Sequence, residues 1–128
     1  MADYLLDSGL VIRHLRNDAQ AVALLRELGR RSRLSVSTIT HVEVYAGMKP
    51  HEQYATRKLL SRFTACVVTE DVAQRAGEYL RDYGPSGLSI PDAVIAATAV
   101  LESMTLVTLN PKHFQIRGVS LLPLPLEE

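Results

Sequence analysis

The chain has 128 residues, of which 47% are hydrophobic and 22% charged, so we expect one ordinary domain over residues 1–128. Its single cysteine, Cys66, cannot form an internal disulfide, and no charged, apolar, small-residue leader opens the sequence. A cytoplasmic protein is therefore expected. The longest apolar stretch, 93–101, is far shorter than the ~20 residues that cross a bilayer, so we expect no membrane segment.

The formal net charge is zero, but the charges are unevenly distributed along the chain. Residues 1–64 carry ten Lys/Arg against six Asp/Glu, and residues 65–128 carry four against eight. The basic half can supply contacts to RNA phosphates, and solvated helix faces produce the same pattern. Charge alone does not distinguish the two explanations.

Short apolar runs alternate with longer segments of helical periodicity. In the first half of the chain the pattern predicts a strand at 4–6, a helix over 18–31, a strand at 34–36, and helices over 37–47 and 51–63. In the second half it predicts a strand at 66–68, helices over 70–83 and 93–101, and strands at 105–107 and 119–122. Such alternation is typical of a parallel sheet covered by helices on both faces. The predicted fold class is α/β.

Two acidic residues follow the first two predicted strands. Asp7 comes directly after strand 4–6, and Glu43 lies in the helix 37–47, which the chain enters directly from strand 34–36. In open parallel sheets, ligands bind in the crevice beyond the carboxyl ends of the strands. We therefore expect both carboxylates near that edge.

Two further residues reach the same edge from the second half of the chain. Ser89 can cap a helix whose first turn tolerates Pro91, so Asp92 lies near the start of that helix. A helix of about eleven residues travels ~17 Å, and a strand of about five residues returns a similar distance. Asn110 ends the strand if that strand runs over 105–109, and this arithmetic then brings Asn110 level with Asp92.

Three carboxylates in one crevice repel one another unless a cation compensates them. The sequence has neither a thiolate pair nor a His-rich motif that would favour zinc, and carboxylate oxygens suit magnesium or manganese. Asp7, Glu43 and Asp92 are therefore the predicted metal ligands. Such a site is suited to phosphodiester hydrolysis by a metal-activated water.

The same residues also have purely structural explanations. Ser89-x-x-Asp92 and Thr40-x-x-Glu43 both fit a capping box, in which the acid serves only the helix terminus. Asp7 can open a turn or cap the helix that follows it. Each signal is weak by itself, and the metal-site hypothesis depends on their convergence at one edge.

Four segments resemble the PIN-domain family, in particular the VapC-type toxins of bacterial and archaeal toxin–antitoxin pairs. They are YLLDS at 4–8, VEVYAG at 42–47, PDAVIAA at 91–97 and LVTLNPKHF at 106–114. Each is unspecific, but four in this order and at these separations are quite specific. The resemblance implies a three-layer α/β/α domain with a five-stranded parallel sheet, and a magnesium- or manganese-dependent endoribonuclease.

By this resemblance, Asp7, Glu43 and Asp92 occupy the metal-binding acidic positions of the family. Ser8 and Thr108 correspond to hydroxyls that order the site. The resemblance further implies an RNA substrate, a homodimer, and a cognate antitoxin whose chain wraps the toxin and obstructs its active site.

Asn110 is where the chain departs from the pattern, because many family members have aspartate there and others asparagine. One or two metal ions are therefore possible, and Asn110 before Pro111 also starts turns. His113 can donate to a phosphate or assist a proton transfer, or it can be a surface histidine without a role. Arg13 and Arg16 are candidates for RNA-phosphate contacts, or are simply solvated.

Two other classes of function remain open from the sequence. A haloacid-dehalogenase-like phosphatase also has an aspartate after its first strand, but it needs a second aspartate two residues later, where this chain has Gly9. Trapping an acyl-phosphate on Asp7 would support it. A catalytically silent PIN-like interaction module is the other alternative, and it should show no thermal stabilisation by magnesium or manganese.

Overall fold

A computed structural model describes residues 3–126 of the chain. The predicted domain 1–128 includes residues 1, 2, 127 and 128, which lie outside this range. In chain order the elements are β1 (Asp3–Leu6), α1 (Ser8–Leu15), α2 (Ala19–Arg31), β2 (Arg33–Ser37), α3 (Thr38–Ala46), α4 (Gln53–Leu60), β3 (Thr64–Cys66), α5 (Glu70–Tyr83), α6 (Ile90–Leu101) and β4 (Thr105–Val107). Short 3-10 helices span Pro50–Glu52, Gly84–Ser86 and Pro111–Phe114.

The four strands form one parallel sheet in the order β3-β2-β1-β4. Side chains of a strand point alternately to the two faces, so adjacent residues enter different cores. Leu5 and Leu106 pack with α5 and α6 on one face, and Leu6 and Val107 pack with α1, α2 and α4 on the other. The result is the expected three-layer α/β/α arrangement.

The predicted fifth strand, 119–122, is a single parallel bridge and not a strand. Leu106 donates its N–H to Ser120 at 2.8 Å and accepts from the N–H of Leu122 at 2.9 Å. No further backbone hydrogen bond joins residues 123–126 to β4, so the pairing stops at this one bridge. Within residues 3–126, the sheet therefore has four strands, and the expectation of five is corrected.

The third strand lies two residues earlier than predicted, at Thr64–Cys66 instead of 66–68. Its partner β2 ends at Ser37, which pairs with Cys66, because the chain turns into α3 at the next residue. Beyond Cys66 no ladder partner remains, and the N–H of Val68 is bonded to the hydroxyl of Thr38 at 3.3 Å. The apolar run of valines is consequently exposed at the sheet edge.

The predicted helices are present; α5 has the predicted ends, and the ends of some others are shifted. The predicted helix 51–63 is a 3-10 turn followed by α4, which ends at Leu60, where the Ser61 hydroxyl bonds the carbonyl of Lys58 at 2.7 Å. As expected, Ser89 caps the helix that contains the apolar stretch 93–101, so α6 begins at Ile90 with Pro91 and Asp92 in its first turn. None of the helices within 3–126 has the length and apolar character needed to cross a membrane.

Candidate active site

Asp7 lies at the carboxyl edge of the sheet, as predicted. Its N–H bonds the carbonyl of Val107 at 3.0 Å, which closes the Leu6–Val107 pair at the end of the β1–β4 ladder. The carboxylate is buried, with 5% of the residue exposed, and its Oδ2 accepts a 2.8 Å hydrogen bond from the Thr108 hydroxyl. Asp7 occupies the cap position of α1, but its side chain makes no capping hydrogen bond. Capping alone therefore does not explain this residue.

The pKa of Asp7 is raised above its usual value because burial penalises the ionised form. The Thr108 hydroxyl, the nearby N–H groups of Gly9 and Ser8, and the charge of His113 oppose this rise in pKa without cancelling it. The site therefore holds a carboxylate whose negative charge is incompletely compensated by the protein.

A buried pair of hydroxyls joins the start of α1 to α3. The Ser8 and Thr40 hydroxyl oxygens are 2.8 Å apart, and both residues are almost fully buried. The proposed capping box of Thr40 with Glu43 is not formed, because the cap of α3 is Ser37, whose hydroxyl accepts from the N–H of Ile39 at 3.1 Å. Glu43 thus lies in the middle of α3, half-buried, and serves no helix terminus.

Asp92 lies in the first turn of α6, where the Ser89 hydroxyl accepts its N–H at 3.2 Å. The predicted cap by Ser89 is therefore formed, but the side chain of Asp92 also lies near other carboxylates. The pKa of Asp92 is raised, first by burial and then by the negative charges of Asp7 and Glu43, against the lowering effects of Ser89 and His113. The structure thus brings Asp92 within electrostatic range of both Asp7 and Glu43.

The segment after β4 completes this edge. The Asn110 N–H bonds the Thr108 hydroxyl at 3.0 Å, and the Asn110 carbonyl accepts from the N–H of His113 at 3.1 Å, so Asn110 does start a turn. That turn brings His113 Nδ1 to 3.7 Å from Asp92 Oδ2. His113 is therefore at the site, although its side chain is largely exposed.

Arg13 and Arg16 are not brought to the carboxylates. At ~1.5 Å per residue, Arg13 lies about 9 Å along α1 from Asp7. Its guanidinium bonds Asp18 at 2.9 Å, and that of Arg16 bonds Glu52 and the carbonyl of Gly47. Both cations have protein partners here, and their contact with RNA stays a prediction.

Carboxylate oxygens are the ligands that magnesium and manganese prefer, so the chemistry of this donor set fits such an ion. In the part of the chain that the structure describes, no three His, Cys, Asp or Glu side chains are gathered closely enough to hold a metal as they stand. Binding of one ion by Asp7, Glu43 and Asp92 together would therefore require their carboxylates to come closer to one another than they are here.

Two cavities differ in their relation to this edge. The larger, of about 980 Å³, lies between α3 and α4 and contains none of the three acidic residues. A smaller one, of about 350 Å³, is lined by Asp92 and His113 together with the loop before α6. We refer to the smaller cavity as the Asp92 pocket.

Sequence reasoning missed two residues that the structure connects to the site. Thr40 was considered only as a helix cap, although it shares the buried face of α3 with Val44, four residues on, and a polar residue on such a face needs a partner. Lys112 lines the Asp92 pocket beside His113. No periodicity pointed to Lys112, because it lies in an irregular segment.

Comparison with known proteins agrees with this architecture over nearly the whole chain. A family model described as PIN domain matches residues 4–119. Ribonuclease VapC10 of Mycobacterium tuberculosis is 35% identical over 112 residues, which cover 86% of this chain and 84% of that protein. Ribonuclease VapC19 of the same organism is 34% identical over 113 residues, covering 86% and 90%.

Solved structures are also similar. A toxin-antitoxin complex from Klebsiella pneumoniae contains a chain that superposes with a TM-score of 0.78 at 33% identity, covering 91% of this chain and 94% of that one. VapBC-1 from nontypeable Haemophilus influenzae superposes with a TM-score of 0.76 at 26% identity, covering 94% and 96%. A parallel sheet with these acidic positions at its carboxyl edge, and likeness in sequence and structure over most of its length, show that the chain belongs to the PIN-domain family and, within it, to the VapC-type proteins.

Proposed function

We propose that this chain is a metal-dependent endoribonuclease that hydrolyses RNA phosphodiester bonds. The observation that carries the proposal is the buried Asp7 carboxylate, which Thr108 orients and whose negative charge, with that of Glu43, raises the pKa of Asp92. A protein does not bury a carboxylate near two others without compensation, and a divalent cation supplies it. The names of the ribonuclease relatives support RNA as the substrate.

Asp7, Glu43 and Asp92 would hold Mg²⁺ or Mn²⁺, with Asn110 at the fourth position. When bound, the ion would activate a water molecule and stabilise charge on the phosphate and the leaving oxygen. Thr108 keeps Asp7 Oδ2 directed into the site, and the Ser8–Thr40 pair keeps α3, which carries Glu43, against α1.

The His113 imidazole lies beside Asp92 and can carry a proton at Nδ1 to or from a phosphate oxygen. No covalent intermediate on Asp7 is needed. The phosphatase alternative would require an aspartate at position 9, where this chain has Gly9. Membership of the PIN-domain family does not support that alternative.

We further propose that the chain is the toxin of a type II toxin–antitoxin pair, acts in the cytoplasm, and forms a homodimer that a cognate antitoxin inhibits. The similar complexes from Klebsiella pneumoniae and Haemophilus influenzae support a protein partner. Co-expression with the product of a neighbouring short reading frame tests this proposal, since a cognate antitoxin should co-purify and abolish cleavage. Retention of full RNA cleavage in such a complex would contradict it.

RNA cleavage with and without metal tests the proposed activity directly. A mixed RNA pool is incubated with purified protein in Mn²⁺, Mg²⁺ or chelator, next to Asp92→Asn and, as a matched control, Asp82→Asn, which alters an exposed carboxylate on α5. We expect metal-dependent cleavage by the parent and Asp82→Asn, and a loss of about 100-fold or more in Asp92→Asn, since even supporting residues of metal sites cost ~10–100-fold.

Equal cleavage by Asp92→Asn and the parent would refute the assignment of Asp92. If neither protein cleaves, thermal stability with added Mn²⁺ decides between a selective nuclease and a catalytically silent module. A silent module shows no stabilisation, whereas a metal site at 100-fold ligand excess over its Kd gains ~2.7 kcal/mol.

A further inference from the structure

The Asp92 pocket adjoins the proposed catalytic carboxylates, because Asp92 itself lines it. Asp92 and His113 form one side of it. The loop of residues 84–89, between α5 and α6, and the segment 111–116 after β4 form the rest. A phosphodiester bound at the carboxylates therefore has its neighbouring nucleotide next to this pocket.

The pocket adds a positively charged side chain to a site that is otherwise made of carboxylates. Among the described residues that line the pocket, Lys112 is the one Lys or Arg. Its ammonium group forms no ion pair with another described residue. A phosphate one nucleotide from the cleaved bond is repelled by Asp7, Glu43 and Asp92, and a cation at the pocket offsets that repulsion.

Two polar side chains of the pocket are held by one hydrogen bond each and keep a free group. The Tyr83 oxygen accepts the N–H of Arg117 at 3.1 Å, so its own hydroxyl proton is available to a ligand. Gln115 Nε2 donates to the Pro111 carbonyl at 3.0 Å, which leaves Oε1 as an acceptor. A donor and an acceptor are the groups that hydrogen-bond the edge of an unpaired base.

The volume limits what can enter. About 350 Å³ is at the lower end of the ~300–1,000 Å³ typical of small-ligand sites, which suits one nucleotide and excludes a helix. We propose that the Asp92 pocket binds the single-stranded nucleotide adjoining the cleaved phosphodiester, with Lys112 at its phosphate and Tyr83 and Gln115 at its base. This inference rests on the proposed ribonuclease function, and it makes the pocket a determinant of the cleavage motif.

The charge part of the proposal is tested by the kinetics of Lys112→Gln on a short single-stranded oligoribonucleotide. We expect KM to rise about fivefold at low salt with kcat within about twofold, and the dependence of log KM on log salt to weaken by ~0.7. Lys58→Gln is the matched control, because it removes the same charge from α4, outside the pocket. An unchanged KM, or an equal rise in Lys58→Gln, overturns the proposal.

Failure of the proposed function is distinguishable from failure of this inference. If the parent protein does not cleave, anisotropy of the labelled oligonucleotide in chelator replaces the kinetic readout. Weaker binding by Lys112→Gln and not by Lys58→Gln then supports the pocket, and absence of binding by the parent overturns it.

Base recognition is tested by sequencing the cut sites in a library of randomised RNA. The parent is expected to show a base preference at one position beside the cut, which Gln115→Ala and Tyr83→Phe reduce at that position alone. Gln74→Ala, an exposed glutamine on α5, should leave the preference unchanged. A preference that persists in both pocket variants excludes base recognition by this pocket.

Discussion

Asp7 combines near-complete burial with a carboxylate that has one side-chain hydrogen bond, from Thr108. Burial of an ionised carboxylate without a cation is costly, and the raised pKa of Asp7 expresses that cost. A residue of this kind is better explained by a ligand that binds it than by its contribution to stability. The pH dependence of folding provides a direct measurement.

We expect metal-free stability to depend on Asp7 with a definite sign. Because its pKa is raised in the folded protein, the folded state binds a proton at pH values where the unfolded chain does not. The resulting stabilisation is present at low pH and lost as pH rises through the folded-state pKa. Asp7→Asn should therefore be more stable than the parent at pH 7 in chelator, and the difference should vanish towards acid pH, as measured by urea unfolding across pH.

Added Mn²⁺ should reverse this order at pH 7, because the ion stabilises the parent and not the Asp7→Asn variant. A parent protein that loses stability relative to Asp7→Asn as pH falls would contradict the assigned direction of the pKa shift.

Thr108 affects the reaction through Asp7 and is a positioning residue. Thr108→Val removes the hydrogen bond to Oδ2, so we expect a ~10–100-fold loss in activity or metal affinity. The same change raises the pKa of Asp7 further, since that hydrogen bond lowers it, and the acid side of the pH–rate profile should move to higher pH.

Thr98→Val is the matched control for Thr108→Val, because the Thr98 hydroxyl is also buried but bonds the Val94 carbonyl within α6. Its activity and pH profile should match those of the parent. Equal profiles for the two variants would mean that Thr108 has only a structural role.

At the scale of elements, α3 is held in place by hydrogen bonds at its start and at its buried face. Ser37 caps it, and Thr40 bonds Ser8 at the start of α1. The two helices that follow β1 and β2 are thus joined close to Asp7, and Glu43 is one turn further along α3. This arrangement explains why a threonine occupies a position where periodicity calls for an apolar residue.

A double-mutant cycle measures the Ser8–Thr40 interaction. Ser8→Ala and Thr40→Val should each lower the free energy of unfolding by about 1–3 kcal/mol, since each leaves the other hydroxyl buried without its partner. The double variant should cost less than the sum, with a coupling of ~0.5–3 kcal/mol by denaturant unfolding. Strict additivity would show that the 2.8 Å contact contributes nothing.

At the scale of the whole molecule, several large apolar side chains remain in solvent. Val42 on α3 is 61% exposed and Ile90 at the start of α6 is 65% exposed, and these two helices pack against each other. Exposed apolar surface of this kind is typical of a protein–protein interface. The surface formed by α3 and the start of α6 is therefore our candidate for the homodimer contact.

Val42→Lys combined with Ile90→Lys should convert a dimer into a monomer, because each buried lysine would be desolvated without a partner. Mass determination by light scattering at micromolar concentration is the measurement, with circular dichroism to verify folding. Ala73→Lys, at an exposed position on α5, is the control. A monomeric parent, or a dimeric double variant, would rule this surface out.

Much of the fold was predictable because it depends on local chemistry. Strand β1 and helices α2 and α5 agree with their periodicity, and Ser89 caps α6 as its side chain predicts. The wrong predictions concern strand ends, which depend on whether a neighbouring strand is present to pair with. The valines after Cys66 are good strand formers, but β2 ends too early to pair with them, and residues 119–122 pair with β4 only through the bridge of Leu121 to Leu106.

The sequence by itself determined the α/β class, the order of its elements and the acidic residues at the strand ends, because periodicity, capping and the parallel-sheet rule act over a few residues or one crossover. Only the tertiary structure decided that Thr108 bonds Asp7, that Thr40 bonds Ser8 and that Lys112 lines a pocket beside Asp92. The first contact joins residues 101 positions apart and the second joins residues 32 apart. No local pattern encodes contacts between distant side chains, since they follow from how the layers pack against the sheet.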